Sequence, residues 1–321
     1  MLTDVLKEKK CLKLVCGAGN LDAAEAEKLV ALYSLAGFNF FDLSADLKVI
    51  DGAKRGLQYS GKSAYLCVSV GVKGDPHVSK AVINSGICTN CGKCYEICPQ
   101  NAVIKDGNSF KISKVRCIGC GKCVSECPAK SVSMYSEEKN FDGFLPEIIK
   151  QNIDCIEFHI SSENTEEIFS KWSYLNENFG GILSICADRE KFGNEKLIKI
   201  LREMIRNRKP DTTIIQADGS PMSGGNNDFN TTLQTVATAD LIIKNNIKSF
   251  ILLSGGTNSK SAELAKLCSV PVNGISIGTY ARKIVSEYIR RKDFLQNRKI
   301  FDEALEIAKN LVADILRYMQ D

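Results

Sequence analysis

The chain has 321 residues, enough for one large α/β domain or two smaller ones and too many for a bare ferredoxin. Forty-two Lys and Arg face thirty-eight Asp and Glu, and a net +4 over this length is no nucleic-acid footprint. No apolar run reaches the ~18 residues of a membrane span, and the charged N-terminus lacks a leader's apolar segment, so the expected location is cytoplasmic.

In chain order, apolar β-branched runs predict strands at 12–16, 38–43 and 64–70, with helical patterns over 21–36 and 46–57 between them. Residues 74–136 interrupt the alternation. Strands resume at 154–160, 182–187, 212–217, 249–254 and 273–278, with helical periodicity over 164–178, 194–208, 231–244 and 259–268. The last stretch is amphipathic, with Phe301, Leu305, Ala308, Val312 and Ile315 on one face. Eight strands alternating with helices point to the α/β class and a (β/α)8 TIM-like barrel, with an open doubly wound sheet as the competing topology. On this reading 1–73 and 137–321 form a discontinuous barrel domain, and 74–136 is an insert after strand three. Without the insert about 260 residues remain, close to the ~250 of such a barrel.

Within the insert, residues 88–99 and 117–128 both read C-x2-C-x2-C-x3-C-P. This doubled run is the pattern of the bacterial two-cluster ferredoxin, in which the fourth cysteine of each run serves the other cluster. One [4Fe–4S] cluster is therefore expected on Cys88, Cys91, Cys94 and Cys127, and a second on Cys117, Cys120, Cys123 and Cys98. Small residues such as Gly92, Gly119 and Gly121 let the loops fold closely around the sulfurs. Zinc sites use paired C-x2-C units and no such doubled run ending in proline. A purely structural staple is the bland alternative. The other cysteines, Cys11, Cys16, Cys67, Cys155, Cys186 and Cys268, are expected mostly as buried filler. Cys186, beside Asp188, is the exception.

If the strands form a barrel, alternate residues face its lumen. Cys155, Glu157 and His159 then share a face, as do Ser184, Cys186 and Asp188, Gln216 and Asp218, and Asp42 and Ser44. A structural lumen is filled by Val, Ile and Leu, so this polar set points to a ligand. Asp42, His159, Cys186, Asp188 and Asp218 are the catalytic candidates. Glycine turns follow strands seven and eight, where barrels of this kind bind phosphate. Gly255, Gly256, Gly278 and Thr279, with Arg282 as charge partner, are thus the expected contacts of FMN or another phosphate-bearing ligand. The run 218–225 offers a further substrate or cofactor loop. Gly56–Ser63 matches a P-loop letter for letter, but a helix precedes it and a strand follows, the reverse of what phosphate binding needs.

Residues 13–18, 42–46 and 74–77, the doubled cysteine motif and 216–225 together resemble the light-dependent period family of cyanobacteria, over most of the chain. That resemblance implies an iron–sulfur redox protein, linked in the family to sensing redox state for the circadian clock. It names no catalytic reaction. Electron transfer through two clusters to a redox partner protein (a ferredoxin, flavodoxin or reductase) is the first functional expectation. An oxidoreductase whose clusters feed a flavin or phosphorylated substrate at the barrel mouth is the alternative.

Overall fold

Side-chain alternation along eight strands decides the architecture. The computed structural model describes residues 1–17, 19–74, 79–136, 140–160, 162–219 and 229–319. Twelve strands are found among them: β1 (Cys11–Val15), β2 (Phe40–Ser44), β3 (Tyr65–Gly71), β4 (Ser79–Ile83), β5 (Val103–Asp106), β6 (Ser109–Ile112), β7 (Val132–Ser136), β8 (Cys155–His159), β9 (Ile182–Asp188), β10 (Thr213–Asp218), β11 (Phe250–Ser254) and β12 (Gly274–Ile277). Eight of them close in the order β1-β12-β11-β10-β9-β8-β3-β2, all neighbours parallel. Closure excludes the open doubly wound sheet. Strand ends lie within two residues of the sequence reading. The stretches 75–78 and 220–228, which hold parts of two motifs singled out above, lie outside the described residues.

The outward side chains of each strand meet the helices. Leu12, Leu14, Phe41, Leu43, Ile156, Phe158, Leu183 and Ile185 are buried in one continuous core with the helix faces. The helices Ala23–Ala36 and Leu47–Ser60 pack closely because Gly52 and Gly56 present no side chain: a Cβ on either would overlap a carbonyl of the facing helix. This is the use of Gly56, the first glycine of the P-loop look-alike.

The lumen is layered. At its base Cys11, Phe40, Cys67, Cys155, Ile214 and Leu252 pack with Leu2 and Leu6 of the short helix Leu2–Lys7, which plugs the N-terminal end. Above them the lumen turns polar.

The chain leaves the barrel after β3 and returns to it at β8. In between, β4 pairs antiparallel with β7, and β5 with β6. The insert's own core is small: Ala81, Ala102, Cys117 and Val132.

Candidate functional site

Lys13, Asp42, Ser69, Glu157, Ser184 and Gln216 point inward from six barrel strands, and all are buried. Lys13 is 0% exposed and pairs with both carboxylates, at 3.1 Å from Asp42 Oδ2 and in direct contact with Glu157 Oε2. The Ser69 hydroxyl donates to Asp42 Oδ1 at 2.7 Å. Gln216 Nε2 and Ser184 Oγ donate to Glu157 Oε2 at 2.6 and 3.2 Å. Burial would lower the pKa of Lys13, but the Asp42 and Glu157 charges raise it well above that of an ordinary lysine. Burial opposes the ionisation of Glu157, yet Lys13 and His159 bring its carboxyl down to about 2. The layer is a fixed array of charges in the middle of the barrel.

Above it opens a cavity of about 310 Å³. Asp42, His159, Cys186, Asp188 and Asp218 all line it, so the five catalytic candidates converge. Gly255, Gly256, Gly278, Thr279 and Arg282 line it as well. Their individual duties differ. His159 Nε2 lies 3.2 Å from Glu157 Oε1. Cys186 turns to Asp218, with its Sγ 3.6 Å from Oδ2, and not to Asp188. Asp188 accepts the backbone N–H of Lys191 and so caps the helix Arg189–Ile205. Burial pushes the carboxyl of Asp218 up to about 7 and the Cys186 thiol well above its ordinary value. Arg282 donates to the carbonyl of Val15 at 2.8 Å, which ties the β12 exit to β1. Cys268 departs from the expectation of buried filler: it is exposed at the end of the helix Ser261–Leu267.

The cysteines gather in two separate cavities. One is lined by Cys88, Cys91, Cys94 and Cys127, the other by Cys98, Cys117, Cys120 and Cys123. Each set thus takes three cysteines from one run and the fourth from the other. The donor chemistry fits iron–sulfur clusters. Backbone N–H groups of Asn90, Ala102, Ala81 and Ser131 aim at the sulfurs of Cys88, Cys98, Cys117 and Cys127 at 3.2–3.4 Å. Burial, then the neighbouring Cys117, Cys120 and Cys98, push the Cys123 thiol up to about 11. Cys123 thus resists ionisation until a cation takes up the charge. The Ser131 hydroxyl holds the Cys127 thiol below its usual value.

The second cysteine loop is docked on the barrel. Leu21 N donates to Val115 O at 2.6 Å. Buried Lys80 donates to Gly19 O at 3.1 Å and to Cys117 O at 2.6 Å. Arg116 pairs with Asp22 at 2.6 Å. As a result Ile118, between Cys117 and Cys120, lines both the second cysteine cavity and the barrel mouth.

Sequence reasoning placed Glu157 on the lumen face without making it a site candidate, and it did not single out Lys13. The signal was a lysine inside the apolar run Leu12–Val15, in register with the polar faces of the other strands.

Residues 147–314 match the family described as Light dependent period A C-terminal domain, and residues 80–128 match a 4Fe-4S dicluster domain. Over 301 residues the chain is 27% identical to the Light dependent period A protein of Synechococcus elongatus, spanning 89% of this chain and 84% of that one. Among solved structures, a chain named as a fructose-1,6-biphosphate aldolase from Coccidioides immitis aligns at a TM-score of 0.50 and 11% identity. The alignment covers 99% of this chain and 95% of that one. At this identity the likeness is one of barrel fold. No described helix is long and apolar enough to cross a membrane.

Proposed function

Because the chain belongs to the light dependent period A family and carries a 4Fe-4S dicluster domain, we propose that this iron–sulfur protein transfers electrons through two [4Fe–4S] clusters. Bound there, the clusters supply one-electron oxidation and reduction. The observation that carries the reading is the pair of four-cysteine cavities, with Ile118 as a shared wall between the second cavity and the barrel mouth. Cys91 and Cys120 are exposed, which gives a redox partner such as a ferredoxin, flavodoxin or reductase a point of access. The peptide N–H groups on the sulfurs stabilise added negative charge. The Lys80, Arg116 and Leu21 contacts hold the second loop against the barrel, so a change at that loop bears directly on the mouth.

Anaerobically purified protein should contain about eight iron and eight acid-labile sulfides per chain. Cys127→Ser should remove the cluster served by Cys88, Cys91 and Cys94, read by electron paramagnetic resonance after reduction. Loss of the other cluster alone, or stoichiometric zinc without sulfide, would overturn the ligation. Stopped-flow mixing of the reduced protein with an oxidised flavodoxin tests transfer, and failure of the cluster absorption to recover as the flavin band bleaches speaks against it.

A second reading is an oxidoreductase with FMN or another phosphate-bearing ligand at the mouth. It is favoured by the convergence of Gly255, Gly256, Gly278 and Thr279 on the cavity that Ile118 also lines. Flavin bands beside the cluster absorption, or a phosphorylated compound in native mass spectrometry, would support it. The absence of both a retained ligand and a thermal shift with FMN would exclude it.

A further inference from the structure

The barrel mouth holds a second kind of donor set, made only of barrel residues. Glu157, His159 and Cys186 each offer one ligand atom, and these atoms lie within 4.8 Å of one another. Glu157 Oε2 is taken up by Lys13, Ser184 and Gln216, which leaves Oε1 turned toward His159. His159 Nε2 lies only 3.2 Å from that oxygen, yet it is buried and makes no hydrogen bond among the described residues. The pair leaves both atoms close enough to share a third partner. Donors on one tetrahedral zinc ion, at ~2.0–2.3 Å from the metal, are separated by roughly 3.3–3.6 Å. The 3.2 Å between Glu157 Oε1 and His159 Nε2 lies close to that range, and the ligand atom of Cys186 lies within 4.8 Å of theirs.

We propose that Glu157 Oε1, His159 Nε2 and Cys186 Sγ form a three-ligand site for a divalent transition metal, of the zinc class, distinct from the cysteine-rich insert. Carboxylate, imidazole and thiolate together suit a borderline ion and disfavour magnesium or calcium. Ion binding releases the Cys186 proton to solvent and forms the metal–sulfur bond. Three protein ligands leave the fourth position open to the cavity. Asp218, with Oδ2 3.6 Å from Cys186 Sγ, lines the same cavity and would accept a proton from water bound to the ion. The Lys13 and Gln216 contacts to Glu157 Oε2 form an outer shell that fixes the carboxylate. A site with an open position on this cavity takes the oxygen of a small carbonyl or carboxylate ligand.

The full chain, purified anaerobically and freed of loosely bound metal, is titrated with zinc ions against a competing indicator. Iron, sulfide and zinc are counted together. One zinc per chain is expected beyond the iron, with a zinc-edge absorption signature of one sulfur and two or more nitrogen or oxygen donors. Cys186→Ser and His159→Asn should each weaken zinc binding by about 100-fold or more, with iron and sulfide unchanged. Zinc bound equally by both variants, or held by sulfur alone, would mean that it occupies cysteines of the insert and would overturn the proposal. So would a wild-type chain that takes up no zinc at micromolar free ion, a result that stands whether or not the variants fold. The iron and sulfide counts test the cluster reading separately.

Discussion

Lys13 occupies a position where a barrel of this type usually packs a branched aliphatic side chain. Its cation is the counter-charge for two buried carboxylates, Asp42 and Glu157. Lys13→Met keeps much of the volume and removes the charge. The expected cost is about 3–5 kcal/mol, since both carboxylates are left buried without their cation. Urea unfolding followed by circular dichroism measures it, and adding Glu157→Gln should recover part of the loss. A cost below about 1 kcal/mol would mean that water reaches the layer. At this scale the sequence was legible through parity. A period of two placed Asp42, His159, Cys186 and Asp218 on one lumen, and the structure brings them to one cavity. It could not say which polar residue is neutralised by which, because that depends on neighbours across strands far apart in the chain. Lys13 and Glu157 are 144 residues apart.

At the scale of elements, the second cysteine loop closely approaches β4 of the insert at one point and the barrel at another. Gly119 has φ +70°, and a Cβ there would overlap the carbonyl oxygen of Ser79 at the start of β4. Gly119→Ala should displace the loop between Cys117 and Cys120, and the iron content should fall from about eight to about four per chain. Retention of all the iron would show that the loop can move aside. The other approach is Arg116 to Asp22, which also caps the helix Ala23–Ala36 through Glu25 N. Asp22→Asn keeps a capping side chain and loses the ion pair, so about 1 kcal/mol of docking should go with the charge. Burial works against Asp22's ionisation, but Arg116 and the Glu25 N–H hold its carboxyl below the usual range. A depressed carboxylate contributes fully above its unfolded value near ~3.9 and loses its contribution as pH falls below that. Hydrogen exchange of residues 113–117 should therefore be level from pH 8 to 5 and rise in more acidic solution, once corrected for intrinsic rates. Helices with strong periodicity were readable from sequence. The helix Arg189–Ile205 was read only from 194, because Gly193 breaks its first turn from the rest. The helices Leu2–Lys7 and Phe141–Ile149 are short, and the second contains Pro146, so neither gave a periodic signal.

The whole molecule has two cores of very different size. The barrel buries dozens of aliphatic and aromatic side chains, whereas the insert's own cluster comprises four buried residues, one of them a cysteine. So small a core rarely supports a fold without a metal or a disulfide. Removing iron from the protein with a chelator under mild oxidation should therefore unfold residues 79–136 and leave the barrel standing. Limited proteolysis should then cut within the insert first, and near-ultraviolet circular dichroism should retain the signal of Trp172, which is buried in the barrel core. Cooperative loss of both would mean that the barrel needs the insert for its stability. The cysteine runs stood out in the sequence because they interrupt an otherwise regular alternation. Which of the two cysteine loops would meet the barrel mouth was not legible, since that depends on Lys80 and Arg116 meeting the loop after β1.

The antiparallel pairing of β4 with β7 has one more consequence. Ser79 stands opposite Ser136, so the first and last described strands of the insert begin and end side by side. Such a cassette can be excised and its stubs rejoined by a short glycine-rich turn without moving β3 or β8. A barrel trimmed in this way would keep Lys13, His159 and Cys186 in a colourless protein. Absorption spectroscopy of its mouth could then be done free of the overlying bands of iron.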